Sequence, residues 1–276
     1  MANNKAVYND QTIVLLKGAD RVRKRPAVIF GSDGLEGCQH SFFEILSNSV
    51  DEAREGYGST INVTVTKDGV MTVEDFGRGV PLDWNEKEQQ YNWQLIYCEM
   101  YAGGKYNNDD GGAYEFSLGL NGLGACATQY ASEFMEVTSC SKGVKSNIKF
   151  AKGEPTTELI KEPCAKNKTG TTVTWKSDRE VFTDTDIPLD FFRSTLKKQA
   201  VVNSGLRFNL KFETKSGEII KEEYFYAEGI IDYIKEIVGE TAINRPTLYS
   251  ADRVGRDRDD KNDYKLRINF AFSFSP

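Results

Sequence analysis

The sequence predicts an α+β sandwich, in which helices lie against a mixed, mostly antiparallel sheet. Two observations lead to this class. An amphipathic helix over residues 40–56 is followed by a hairpin over residues 61–66 and 70–74. Two later helices, over residues 189–202 and 229–238, stand apart from the hairpins. Segregated helices and antiparallel hairpins are typical of an α+β fold rather than of a doubly wound parallel sheet.

The helices are predicted from apolar spacing. A short amphipathic helix over residues 15–25 is expected to stop at Pro26, because proline lacks the backbone donor that a helix interior needs. In the helix over residues 40–56, apolar residues recur at spacings of three and four, and Gly56 follows as a C-cap. These apolar residues are Phe42, Phe43, Leu46, Val50 and Ala53.

The strands are predicted from alternating and β-branched residues. Residues 67–69 (Lys-Asp-Gly) form the turn of the first hairpin. Four further strands are expected at 134–139, 147–150, 171–175 and 207–213. Between the hairpin and these strands, a glycine-rich stretch over residues 103–124 interrupts regular structure. Loops of that length in a compact domain are usually functional or disordered.

The composition changes after residue 238. Residues 251–265 form a dense run of mixed charges, which predicts a solvated loop. Residues 266–274 alternate like a strand, and the sequence stops directly after them. We therefore expect a second domain to begin here and to be incomplete in this chain.

Composition also limits the possible functions. The 276 residues carry 35 Lys and Arg against 41 Asp and Glu, and the net charge of −6 argues against a protein that binds bare nucleic acid by itself. Work beside DNA in a larger assembly stays compatible with this balance. The sequence shows no long apolar run and no apolar signal at its N-terminus, so it predicts no membrane span and a cytoplasmic location. Five widely separated cysteines favour neither disulfides nor a zinc site.

The longest predicted helix also has a polar face. Glu44, Asn48, Asp51 and Glu55 follow the helical repeat opposite the apolar residues. A glutamate and an asparagine one turn apart suit a general base and an oxygen ligand of a hard cation. A solvated helix face explains the same spacing, although Asn48 is a poor helix former. His40, the only histidine, precedes Glu44 by one turn and suits either a cap or a group that orients the carboxylate.

Asp75-x-Gly77-x-Gly79 directly follows a predicted strand. Glycines at these positions let the backbone pass close to a ligand while the carboxylate points into a pocket. An ionised aspartate only accepts hydrogen bonds, so it suits an exocyclic amino group such as that of adenine. A glycine turn that begins with an aspartate is the plainer interpretation.

The long glycine-rich stretch contains two groups of glycines. Gly103 and Gly104 precede Lys105, and the second group lies within residues 119–124. Closely spaced glycines expose backbone N–H groups and Lys105 adds a positive charge, and both suit phosphates. The pattern is neither a Walker A loop nor a convincing dinucleotide fingerprint, and a plain loop is the alternative. Thr171 opens a later strand after a turn.

The order of these motifs is more specific than any one of them. Residues 40–53 resemble the first ATP-site motif of the GHKL superfamily, which includes type IIA topoisomerase ATPase subunits, certain chaperones, MutL proteins and histidine kinases. The Asp75 motif resembles the second motif, residues 119–124 the third, and Gly170-Thr171 the fourth. This resemblance implies the GHKL (Bergerat) fold, a two-layer α/β sandwich.

Narrower motifs are similar to the bacterial topoisomerase branch. Residues 22–26 (Val-Arg-Lys-Arg-Pro) resemble part of its opening motif, residues 101–106 (Tyr-Ala-Gly-Gly-Lys-Tyr) resemble its HAGGKF motif, and residues 180–185 resemble a run after its fourth motif. The chain thus looks like the ATPase region of a gyrase B or topoisomerase IV ParE subunit. The implied domains are an N-terminal arm over 1–14, a GHKL ATPase domain over 15–239 and the incomplete start of a transducer domain over 240–276.

The resemblance implies a role for each matching residue. Glu44 is expected to be the general base for the attacking water, with His40 orienting it. Asn48 is expected to bind Mg²⁺, and Asp75 to accept from the adenine amino group with help from the Thr171 hydroxyl or a water. Lys105 is expected to contact the phosphates and to belong to the catalytic residues, and Tyr8 is expected to reach into the nucleotide site of the other subunit of a dimer. Glu52 is expected to pair with Arg78 at the nucleotide. The other residues expected to bind the nucleotide are Gly77, Gly79, Pro81, Ile96, Gly103, Gly104, Gly119, Gly122, Leu123 and Gly124.

The resemblance also implies the cofactors ATP and Mg²⁺ and a role in DNA strand passage gated by ATP-driven dimerisation. The implied partners are an A-type subunit (GyrA or ParC), DNA contacted through the full assembly, and a second copy in the ATP-bound full-length subunit. Members of the family carry a γ-phosphate lysine and a TOPRIM domain further on, so the fragment is expected to bind ATP, to hydrolyse it poorly and to be largely monomeric. A non-hydrolysing nucleotide-binding scaffold and another GHKL ATPase, of the chaperone or MutL type, are the alternatives.

Overall fold

The computed structural model describes residues 12–102, 118, 122–256, 258 and 263–276. In this part of the chain lie seven α-helices and the short 3₁₀ helix Gly239–Thr241. The α-helices are α1 (Asp20–Arg23), α2 (Pro26–Phe30), α3 (Leu35–Arg54), α4 (Asn92–Cys98), α5 (Gly124–Tyr130), α6 (Leu189–Val202) and α7 (Ile230–Val238). The strands are β1 (Thr60–Val65), β2 (Val70–Asp75), β3 (Trp84–Asn85), β4 (Gln90–Tyr91), β5 (Ser132–Ser141), β6 (Val144–Ala151), β7 (Glu154–Pro155), β8 (Ile160–Pro163), β9 (Gly170–Ser177), β10 (Arg207–Glu213), β11 (Ile219–Tyr224), β12 (Thr247–Gly255) and β13 (Tyr264–Phe272).

Nine of the described strands form one sheet. Their order is β11-β10-β1-β2-β9-β5-β6-β7, with β8 also paired to β6. The β1–β10 pair is parallel, and the other described pairs of this sheet are antiparallel. The predicted α+β class, with a mixed and mostly antiparallel sheet, is confirmed.

The core lies between the sheet and the long helices. The inward face of β1 consists of buried Ile61, Val63 and Val65, which alternate with half-buried residues. On the helix side, the fully buried Phe42 ring of α3 stacks on Trp175 at 6.2 Å and meets Phe192 edge-on at 5.0 Å. Large buried rings of this kind dominate the energetics of a core. These ring contacts pack α3 and α6 against the sheet.

The same alternation places one carboxylate in the core layer. In β2, residues 71, 73 and 75 share the inward face because successive side chains of a strand point to opposite sides. Met71 and Val73 are buried there, and Asp75 takes the third inward position with only 7% of its surface exposed. The strand period therefore directs a carboxylate toward α3.

The predicted helix over residues 15–25 is wrong in extent. Two short helices, α1 and α2, replace it, and residues 13–16 lie outside both. Pro26 begins α2 instead of only ending the earlier helix. Proline is well suited to the first helical position, where its missing N–H has no partner to lose.

The predicted solvated loop over residues 251–265 is also wrong in part. Residues 251–255 belong to β12, which pairs with β13 in a two-stranded antiparallel sheet. Asp252 lies opposite Arg267 in this ladder, and Arg267 Nε is 2.9 Å from Asp252 Oδ1. The mixed charges thus include a cross-strand pair, which stabilises such a hairpin.

The other predicted elements are confirmed, with shifts at their ends. The first hairpin pairs Ile61 with Asp75 and Val65 with Met71, and the helix over 189–202 is α6. The central helix begins earlier than predicted, at Leu35. The short elements β3, β4, β7 and β8, the strand β11 and the helix α4 were not predicted. Within the described residues, no helix is both long enough and apolar enough to cross a membrane.

Candidate functional site

Glu44 and His40 contact each other one turn apart on α3. His40 Nε2 lies 3.0 Å from Glu44 Oε1, and His40 Nδ1 lies 3.2 Å from the carbonyl oxygen of Phe30. Because a carbonyl oxygen only accepts, Nδ1 carries a proton in this arrangement. The contact between Nε2 and the carboxylate then needs one further proton shared by the two atoms. His40 therefore holds the half-buried Glu44 carboxylate in one orientation.

Asn48 follows Glu44 by one turn and is half-buried. Its Nδ2 donates to the backbone carbonyl of Glu44 at 3.1 Å, which restrains the amide group against the helix. An amide oxygen is a ligand type that hard cations prefer. Across the described residues, no group of three or more His, Cys, Asp or Glu side chains could hold a metal ion.

Asp75 accepts three hydrogen bonds from three parts of the chain. Its Oδ1 accepts from the backbone N–H of Gly77 at 3.0 Å and of Thr171 at 3.1 Å. Its Oδ2 accepts from the buried Ser49 hydroxyl at 2.8 Å. Burial raises the pKa of the Asp75 carboxyl above its ordinary value, although these hydrogen bonds act in the opposite direction.

Thr171 contacts Asp75 through its backbone. Its backbone N–H, and not its hydroxyl, donates to the carboxylate. The hydroxyl oxygen instead accepts from the backbone N–H of Val80 at 2.9 Å. Gly170, which has φ +126°, makes this approach possible, because a Cβ there would lie 2.1 Å from the Asp75 carbonyl oxygen. Through these two hydrogen bonds of Thr171, the fourth motif connects the start of β9 to Asp75 and to the turn that follows β2.

Arg78 and Glu52 form the predicted pair beside this turn. Arg78 Nε lies 3.0 Å from Glu52 Oε2, and Arg78 Nη2 lies 2.7 Å from Glu52 Oε1. The Tyr57 ring covers the guanidinium at 4.0 Å. A bidentate pair under an aromatic ring holds the guanidinium plane in a defined position.

The other predicted lining residues fall on the same turn and on neighbouring elements. Gly77 is buried, Gly79 has a left-handed φ of +84°, and Pro81 is exposed on the turn after β2. Ile96 is half-buried on α4 and packs against the core. The second-motif residues therefore follow one another along the turn after β2, beside the Arg78–Glu52 pair.

Gly122, Leu123 and Gly124 lie at the start of α5. Gly124 sits directly over the predicted base, because a Cβ at this position would lie 1.9 Å from Glu44 Oε2. The Tyr101 N–H donates to the Gly122 carbonyl oxygen at 3.1 Å. The predicted residues Tyr8, Gly103, Gly104, Lys105 and Gly119 lie outside the described residues.

Sequence reasoning missed three residues of this site. Ser49 hydrogen-bonds Asp75, Tyr57 covers Arg78, and Asp51 accepts from the Leu118 N–H at 2.7 Å. Asp51 was placed on a polar helix face, yet it is buried, with 1% exposure. A serine and an aspartate in the middle of a helix were the available signals, since both disfavour helix interiors.

Replacing Gly124 with alanine is expected to destabilise the protein by about 1–3 kcal/mol, because the new methyl group overlaps Glu44. Thermal or urea unfolding measures the loss. In a Glu44→Ala background the same substitution should be milder, since most of the overlapping atoms are gone. An equal loss in both backgrounds contradicts the proposed contact.

Topoisomerase B subunits match this chain over most of its length. The B subunit of DNA topoisomerase 4 from Staphylococcus aureus strain Mu50 is 34% identical over 260 residues, which cover 93% of this chain and 38% of the relative. The protein of strain MW2 has the same identity and coverage. The chain thus spans 38% of the length of these relatives. No protein-family model matches the chain.

A solved structure agrees with this similarity. The 43K ATPase domain of Thermus thermophilus gyrase B, crystallised in complex with an aminocoumarin, has a TM-score of 0.70 and 32% identity to this chain. The match covers 86% of this chain and 59% of that domain. The fold is therefore that of a GHKL ATPase. Within that class, the chain belongs to the ATPase regions of type IIA topoisomerase B subunits.

Proposed function

We propose that this chain binds ATP with Mg²⁺ along the polar face of α3 and, slowly when by itself, hydrolyses the bond to the terminal phosphate. The observation that carries the proposal is the arrangement of two groups on one helix. Glu44 and His40 contact each other, and about two turns further on Ser49 and Glu52 hold Asp75 and Arg78. From Glu44 to Glu52 the helix rises about 12 Å, a span on the scale of a nucleoside triphosphate.

Asp75 recognises the base at one end of this span. When ionised, its carboxylate accepts from the exocyclic amino group of adenine. Guanine presents a carbonyl oxygen in the same place, so two acceptors would meet without a proton between them. Arg78 lies beside the base in an orientation set by Glu52 and Tyr57.

Glu44 acts on the water at the other end. It takes a proton from the attacking water, and His40 keeps the carboxylate aimed and shares the charge. Asn48 holds Mg²⁺, which neutralises developing phosphate charge when it is bound. Gly122, Leu123 and Gly124 surround the phosphates, together with Gly103, Gly104, Lys105 and Gly119. Catalysis of this kind requires little more than positioning and electrostatic stabilisation.

The longer relatives extend this proposal to an assembly. ATP binding drives dimerisation, with Tyr8 reaching into the second copy, and dimerisation gates the passage of one DNA segment through another. An A-type subunit (GyrA or ParC) is the protein partner, DNA is contacted through the whole assembly, and the enzyme works in the cytoplasm. The oriented Glu44–His40 pair supports a hydrolase rather than a non-hydrolysing scaffold. The names of the relatives favour a topoisomerase over a chaperone or a MutL protein.

Calorimetric titration of the 276-residue chain with Mg²⁺ and a non-hydrolysable ATP analogue tests the nucleotide assignment. We expect saturable binding of the ATP analogue and much weaker binding of the matching GTP analogue. No measurable binding, or equal binding of the two analogues, contradicts the proposal.

A further inference from the structure

The Asp75 carboxylate has a countable set of acceptor positions. Two carboxylate oxygens offer about four lone-pair sites. Oδ1 uses both of its sites for the N–H groups of Gly77 and Thr171. Oδ2 uses one site for the hydroxyl of Ser49. Among the described residues these are the hydrogen bonds to Asp75, so one acceptor site on Oδ2 is left for a ligand.

Ser49 itself has little freedom. It is buried, with 5% exposure, and lies on α3 next to Asn48. An ionised carboxylate only accepts, so the serine hydroxyl is the donor in the 2.8 Å contact. The position of the Ser49 hydroxyl therefore determines which lone pair of Oδ2 is already used.

We propose that Ser49 is a positioning residue for base recognition: its hydroxyl occupies one lone pair of Asp75 Oδ2 and aims the other at the amino group of the base. The inference rests on the proposed nucleotide site and assigns it a further specificity-determining residue. Asp75 alone makes the contact with the base. Ser49 acts only through Asp75.

The charges around Asp75 make this role measurable by pH. Burial disfavours the ionised Asp75 carboxylate most, and the charge of Glu52 on α3 acts in the same direction. Arg78 pairs with Glu52, and Tyr97 of α4 faces the carboxyl as a neutral phenol. The hydrogen bond from Ser49 favours ionisation, so it lowers the pKa of Asp75. Without the hydroxyl, a larger part of the carboxyl population is protonated at mildly acidic pH. A protonated carboxyl presents a donor to the amino group of the base.

The test is Ser49→Ala, titrated with Mg²⁺ and a non-hydrolysable ATP analogue from pH 4.5 to 8. We expect affinity about tenfold weaker at pH 8, where the carboxyl is ionised in both proteins and the loss reports the missing hydrogen bond alone. The acidic midpoint of the binding curve should move up by about one pH unit relative to the wild type. Titration of the nucleotide itself affects both proteins equally and cancels in the comparison.

Ser41→Ala is the matched control. Ser41 is also a buried serine of α3, with 1% exposure, but its hydroxyl donates to the Cys38 carbonyl at 2.7 Å. This control should keep the wild-type affinity and midpoint. If Ser49→Ala does not fold, Ser49→Cys replaces it, because a thiol of similar size is a weak donor and should show the same two changes.

The outcomes separate this inference from the proposed function. If the wild type binds the ATP analogue and Ser49→Ala binds it with the same affinity and the same acidic midpoint, the role of Ser49 is overturned and the nucleotide site is not. Weaker binding with an unchanged midpoint assigns Ser49 a purely structural role and also overturns it. No binding by the wild type overturns both.

Discussion

Replacing Asp75 with asparagine is expected to weaken binding of the ATP analogue by about 100-fold or more. The side chain keeps its size, but an amide donor faces the amino group of adenine where an acceptor is needed. Two donors in a desolvated site leave both groups unpaired, which costs about 1–3 kcal/mol for each buried group. Calorimetric titration of the variant beside the wild type measures the loss.

The same substitution should leave folding intact, and at neutral pH it should raise stability. Burial raises the pKa of Asp75 in the folded state, so ionisation of the carboxyl weakens the folded protein. The protonated Asp75 carboxyl contributes its full stability below the unfolded pKa of about 3.9, and this contribution to the free energy of unfolding is lost as pH rises through the folded pKa. The stability advantage of Asp75→Asn should therefore be absent near pH 3.5, grow as pH rises, and then level off.

Asp68→Asn is the control for this pair of effects. Asp68 is exposed in the turn that begins β2, at the far end of the strand from Asp75. The Asn-Gly turn that results suits a hairpin, so neither binding nor its pH dependence should change. Full binding by Asp75→Asn, with adenine still preferred to guanine, contradicts the assignment of this carboxylate.

Replacing Glu44 with glutamine should lower single-turnover ATP hydrolysis by about 100-fold or more while nucleotide binding persists. A glutamine amide cannot take a proton from water, and general-base catalysis is typically worth about 10²–10⁴-fold. The amide still fits beside His40 Nε2, so the geometry of α3 should be kept. Binding should hold or improve, because one negative charge near the phosphates is removed.

Single-turnover assays with excess protein, followed by titration with the ATP analogue, measure the two quantities separately. Glu36→Gln is the control, since Glu36 is an exposed glutamate in the first turn of the same helix. It should hydrolyse ATP at the wild-type rate. A Glu44→Gln variant that hydrolyses equally fast would place the base elsewhere.

Much of the fold was predictable because it follows local periodicity. The apolar spacing of Phe42, Leu46 and Val50 predicted α3, and the alternation in β1 and β2 predicted their hairpin. Boundaries were harder to predict. Pro26 fits both the end of one helix and the start of another, and the tertiary structure favoured the start. The charged residues 251–255 joined a strand because a partner strand supplied Arg267 opposite Asp252.

The candidate site was predicted only in part. Motif order pointed to Glu44, Asn48 and Asp75, whose roles remain predictions, and to the Glu52–Arg78 pair, whose contact the structure contains. No local pattern indicated that Ser49 would donate to a carboxylate 26 positions away. The help expected from the Thr171 hydroxyl or a water stays a prediction. The contact of its backbone N–H with Asp75 was not predicted, because a sequence does not show whether a side chain or a backbone N–H reaches a neighbour.

The sequence by itself determined the long helices, the first hairpin and the polar positions of α3, because these depend on repeats of two and about four residues along the chain. Only the tertiary structure decided which atoms surround the carboxylate. The N–H of Thr171 reaches Asp75 across 96 positions, and that contact exists because β9 pairs with β2. Hydrogen bonds of this kind depend on distances between separately folded segments, and a one-dimensional pattern carries no record of those distances.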